Sequence, residues 1–133
     1  MITGINHIGI CVKCIDNVLD VWKKSMNPIE IGRASYPKMG QTSAMIKIGS
    51  SFFELMEPIG EEGVIAEFLK KYGEGIHHIS IHSTNIHADK AAFEAVGIRV
   101  LGKAGDPMLF THPKSNFGIV FEITENENEK IEI

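Results

Sequence analysis

The sequence predicts an α+β fold of two tandem β-α-β-β-β modules whose strands make one curved mixed sheet. Three observations carry that prediction. GINHIGICVKCID (4–16) aligns without a gap to GIHHISIHSTNIH (75–87), so that His7 matches His78, and Ile8 and Ile10 match Ile79 and Ile81. A second pair follows, Phe53-Glu54-Leu55 against Phe121-Glu122-Ile123, and the His-to-Glu separations are nearly equal, 47 residues from 7 to 54 and 44 from 78 to 122. Between these anchors each half reads as a helix followed by three short strands. Repetition at this scale sets the fold before any single element does.

The first module covers residues 1–60 and opens with the strand that carries His7. In residues 15–24, Ile15, Val18, Leu19 and Trp22 recur at helical spacing, and Lys23 and Lys24 sit at the end that favours cations. Asn27-Pro28 is the stop signal, and strands are expected at 29–36, 42–49 and 51–57. Residues 61–72 connect the modules, with a short helix over VIAEFLKKY (64–72). The second module, 73–125, repeats the order: a strand with His78, a helix over 86–96 closed by Gly97, then strands at 98–103, 107–112 and 118–124. Residues 126–133 read as a polar tail, and the whole chain as one domain.

Composition bounds the function. A chain of 133 residues with 44% hydrophobic and 23% charged residues is an ordinary globular protein. A net charge of −4 and a pI near 5.8 argue against a nucleic-acid partner. No apolar run approaches the roughly 20 residues that span a bilayer, and the N-terminus has no charged region followed by an apolar one. The expected location is the cytoplasm, with no membrane partner. Cys11 and Cys14 form a C-x-x-C pair without a second pair, so there is no four-cysteine zinc site. The intervening Val12-Lys13 lacks the small or proline residues of a redox dithiol, and the pair reads as ordinary packing.

Alternation along a strand selects the site residues. Successive side chains point to opposite faces, so adjacent His77 and His78 cannot both serve one site. In the first copy Ile8, Ile10 and Val12 share the face that packs on the helix, and His7, Gly9 and Cys11 share the other. His78, Ser80 and His82 take the face of His7, whereas His77 matches Asn6 and joins Ile79 and Ile81. Glu54 and Glu122 are each flanked by large apolar residues of opposite parity. A carboxylate in such a strand is costly to desolvate unless paired or bound to a metal. Two modules related by a pseudo-twofold would bring His7, Glu54, His78 and Glu122 to one centre. Two imidazoles and two carboxylates suit one divalent transition ion, Co, Ni, Zn or Mn, with open positions for substrate oxygen.

The same residues carry a family resemblance. Over residues 3–125 the chain resembles the vicinal oxygen chelate superfamily, and HIGICV, FFELMEP, FLKKYGEGIHHISI and HPKSNFGIVFEI look most like methylmalonyl-CoA epimerases. The resemblance implies a metal held by His7, Glu54, His78 and Glu122 in a cup between the two modules. It implies a proton moved α to a thioester carbonyl by two bases, one of them the carboxylate at Glu122. The other base normally sits in a P-E-Q-G stretch that here reads PKMG, placing Lys38 at the position of a carboxylate. An ammonium is a poor base near neutrality. The segment between Gly97 and HPKS is also several residues shorter than the Gly-rich loop of the epimerases.

The expected function is a metal-dependent isomerase acting on a small-molecule carbonyl or thioester, with Glu122, Glu54 and Lys38 as catalytic candidates and a homodimer as the assembly. The alternative is a glyoxalase I-like isomerase of a hemithioacetal, in which Glu54 and Glu122 share the proton. A bleomycin-resistance-type binder usually lacks the four ligands, and an extradiol dioxygenase uses two histidines and one carboxylate in a longer chain.

Overall fold

The structure is a computed structural model and describes residues 1–103 and 105–127. From residue 128 onward the expected polar tail lies outside the described residues. The elements run β1 (Ile2–Cys11), α1 (Ile15–Trp22), β2 (Ile29–Tyr36), β3 (Gln41–Ile48), β4 (Ser51–Pro58), α2 (Val64–Tyr72), β5 (Gly75–Ser83), α3 (Ile86–Ala95), β6 (Val100–Leu101), β7 (Met108–Thr111) and β8 (Phe121–Thr124). This is the expected α+β order, with parallel and antiparallel pairs mixed. No helix among the described residues is long and apolar enough to cross a membrane.

The chain divides into two compact units, and β1 and β5 each run through both. In the unit of residues 8–77 the strand order is β2-β3-β4-β1, with β1 parallel to β4 and the other pairs antiparallel. Its core joins Val12, Ile15, Leu19, Ala44, Ile46 and Leu55, with Ile10 and Trp22 packed against them. The even-numbered residues of β1 thus face α1, as alternation requires. On the opposite face Cys11 and Met56 pack on Ile65 and Phe68 of α2. Burying each large apolar side chain contributes about 1.5–3 kcal/mol.

In the unit of residues 1–7 and, among the described residues, 78–127 the order is β1-β5-β8-β7-β6, with β5 parallel to β8. Ile81, Ile86, Leu109 and Ile123 form its core, with Ile79, Phe93 and Phe121 around them. The odd residues of β5 and β8 therefore face α3, which leaves His78, Ser80 and Glu122 on the other side.

The repeat extends to the helix starts. The first N–H of α1, Ile15, donates to Glu57 Oε1 at 2.8 Å, and the first N–H of α3, Ile86, donates to Glu125 Oε2 at 3.0 Å. Ile15 and Ile86 each lie eight residues past the module histidine, and Glu57 and Glu125 each lie three past the module glutamate. A carboxylate satisfying an orphan N–H at the positive end of a helix contributes about 0.5–2 kcal/mol. In each module it also pins the helix to the strand that carries the glutamate.

Several boundaries differ from the sequence expectation. α1 ends at Trp22, before Asn27-Pro28, because Lys24 and Ser25 N–H groups bond to carbonyls three residues back and tighten the last turn. Strands β6 and β7 are shorter than 98–103 and 107–112. β8 starts at Phe121, not at 118. There Thr111 Oγ1 donates to the Ile119 carbonyl and accepts from Phe121 N–H, and Asn116 Nδ2 also donates to Ile119. Side chains thus occupy backbone groups that a longer strand would pair, and Phe117 and Gly118 hold left-handed φ of 55° and 82°.

Candidate metal centre

Three predicted ligands come together within one unit. His7 from β1, His78 from β5 and Glu122 from β8 are all buried, at 5%, 4% and 7% exposure. The two ring Nε2 atoms stand 3.4 Å apart, with the rings edge-on at 79°. His7 Nε2 is 3.8 Å from Glu122 Oε1, and His78 Nε2 is 3.6 Å from Oε2.

These spacings discriminate between two readings. An imidazolium–carboxylate pair closes to about 2.7–2.9 Å, because a charge-assisted hydrogen bond is short. At 3.6 and 3.8 Å neither pair is bonded in that way. Donor atoms sharing a divalent ion at about 2.0–2.2 Å would stand roughly 3.0–3.6 Å from one another. Two of the three spacings, 3.4 and 3.6 Å, fall in that range and the third, 3.8 Å, lies just beyond it, an arrangement open to a cation. The chemistry of these donors suits a borderline ion such as zinc, cobalt or nickel.

Asn6 sets the tautomer of His7. Its Nδ2 donates to the Asn126 carbonyl at 2.7 Å, an acceptor only, which turns Oδ1 toward His7 Nδ1, also at 2.7 Å. A carbonyl oxygen facing Nδ1 requires a proton there, so in neutral His7 the lone pair lies on Nε2, the atom turned toward His78 and Glu122. An outer partner of this kind orients a metal-ligating histidine. Sequence reasoning paired Asn6 with His77 and gave it no role; its signal was only a polar residue beside a histidine in an apolar strand. Ser80 was placed on the face of His78 without a function. Its hydroxyl donates to Glu122 Oε1 at 3.0 Å. His82, on the same face, bonds to Thr3 Oγ1 and the Glu125 carbonyl.

The other predicted residues lie in the unit of residues 8–77. Glu54, half-buried on β4, is in register with Gly9 of β1 and Met45 of β3. Burial, and secondarily the charge of Glu54, push the Cys11 thiol up to about 12. Cys11 is therefore a neutral thiol at physiological pH, and both cysteines are free. His77 lies edge-on to Phe68 of α2, with ring centroids 5.2 Å apart. Lys38 is exposed on the 3-10 turn Pro37–Met39, lining a 560 Å³ surface cavity with Glu61 and Glu62. That turn is closely backed: Gly40 has φ 71°, and a Cβ there would collide with the Glu62 carbonyl.

Comparison with known proteins follows the same lines. The ethylmalonyl-CoA/methylmalonyl-CoA epimerase of Cereibacter sphaeroides is 32% identical over 134 residues, covering 94% of this chain and 99% of that protein. A hypothetical protein from Bacillus halodurans C-125 superposes with a TM-score of 0.83 at 35% identity, covering 97% of both chains. A methylmalonyl-CoA epimerase solved in complex with methylmalonyl-CoA and NH4+ superposes with a TM-score of 0.79 at 30% identity, over 92% of this chain and 94% of that one. The family profile that matches residues 6–111 is that of the Glyoxalase/Bleomycin resistance protein/Dioxygenase superfamily, and the chain belongs to it.

Proposed function

We propose that the protein is a divalent-metal-dependent isomerase that moves a proton α to the carbonyl of an acyl thioester, as an epimerase does. The observation that carries this reading is the convergence of His7 Nε2, His78 Nε2 and the Glu122 carboxylate at spacings too long for hydrogen-bonded ion pairs and open to a shared cation. The similarity to epimerases of CoA thioesters supports the substrate class.

His7, His78, Glu122 and Glu54 are the proposed ligands. Support for Glu54 comes from its match to Glu122 in the repeat and from its register opposite Gly9, two residues along β1 from His7. A bound divalent ion supplies Lewis acidity toward a substrate carbonyl oxygen. Asn6 keeps the Nε2 lone pair of His7 available, and burial excludes water from the donor atoms. Glu122 is the base that takes the α proton on one face, and inversion needs a second group, Lys38 in the epimerase reading, to return a proton on the opposite face. The assembly in this reading is a homodimer, which light scattering at micromolar concentration measures.

Lys38 separates this reading from a glyoxalase-like one, in which Glu54 and Glu122 share the proton. Metal-loaded protein in deuterium oxide, offered a panel of α-acidic acyl thioesters and of hemithioacetals, should exchange the α hydrogen of the thioesters. Lys38→Ala should abolish racemisation and leave exchange on one stereoisomer if Lys38 is the second base. Exchange confined to hemithioacetals and unchanged in Lys38→Ala would replace epimerisation with the glyoxalase-like reaction.

A further inference from the structure

We infer that Ser80 is a positioning residue that fixes the Glu122 carboxylate for metal binding. The inference rests on the metal reading above and deepens it. Ser80 occupies the repeat position of Gly9. The register is the same in both modules, since Gly9 lies opposite Glu54 on the parallel β1–β4 pair and Ser80 lies opposite Glu122 on the parallel β5–β8 pair. The backbone frames match; the side chains do not.

Ser80 is fully buried, and its hydroxyl stands 3.0 Å from Glu122 Oε1. An ionised carboxylate only accepts, so the hydroxyl proton points at Oε1. That bond restrains the carboxylate about its terminal torsions and keeps both oxygens turned toward the imidazoles, with Oε2 facing His78. Glu122 is thereby held in place before metal or substrate arrives, and the ordering entropy of one ligand is removed from the binding step.

Ser80→Ala removes the hydroxyl at nearly constant volume. The test measures Co2+ affinity by competition with a chromophoric chelator and records the visible spectrum of the Co2+ form. Ser80→Ala should bind Co2+ about 10–100-fold more weakly, with altered ligand-field bands, as loss of an outer-shell partner typically does. Ser80→Thr, which keeps the hydroxyl, should restore affinity and bands. Ser43 supplies the control, a buried serine of β3 whose Oγ accepts from Gln41 Nε2 at 3.0 Å, and Ser43→Ala should bind as wild type. Wild-type affinity and spectrum in Ser80→Ala would overturn the role of Ser80 and leave the metal reading standing. So would an equal loss in folded Ser80→Thr or in Ser43→Ala. A wild-type protein that takes up no Co2+ would overturn the metal reading itself, and this inference with it.

Discussion

Glu122→Gln should lower solvent-deuterium exchange at the substrate α carbon by about two to four orders of magnitude, the usual contribution of a positioned general base. The amide keeps the length and planarity of the carboxylate, and its oxygen can still accept from Ser80, which lies 3.0 Å from Oε1 in the native protein. Packing around Ile123 and the β5–β8 register have no reason to change. Basicity is what disappears. Exchange is read at saturating metal, with bound metal measured on the same sample, so weaker coordination is separated from lost proton transfer. Wild-type exchange with metal bound would remove Glu122 from the chemistry.

The second large effect concerns the adjacent histidines. His78→Ala should lose the bound metal, because it deletes one of two imidazoles that stand 3.4 Å apart at their Nε2 atoms. His77→Ala should retain it. Its ring rests edge-on against Phe68 of α2, so this substitution takes away a packing contact and falls on stability instead. Metal analysis of the two purified variants reads the difference directly. Metal lost from His77→Ala and kept in His78→Ala would refute the assignment by strand face.

Much of this arrangement was legible because it follows from local periodicity. Strand side chains alternate strictly, so one apolar series, Ile79 and Ile81 against α3, was enough to place His78 on the far face. The repeat then tied His78 to His7 and Glu122 to Glu54. What the sequence hid depends on partners distant in the chain. Asn6 orients His7 only because its amide meets the Asn126 carbonyl, 120 residues away. The start of β8 was displaced by Thr111 and Asn116 side chains that bond to backbone groups a strand would otherwise pair. Glu57 and Glu125 are visible as a matched pair three residues past the module glutamates, but their use as helix caps emerges only when strand and helix meet. For Ser80 the face was readable and the bond was not, since it requires the β5–β8 register.

The central claim is that His7, His78 and Glu122 hold a metal. Its most direct test is an anomalous difference map from a crystal of the Co2+-loaded protein, recorded at the cobalt edge. The account predicts one strong peak per chain at about 2.0–2.2 Å from His7 Nε2, His78 Nε2 and a Glu122 oxygen, the range of bonds between these ligands and a first-row ion. A peak not bound to these three residues, or none at this cluster in a fully loaded crystal, would contradict it.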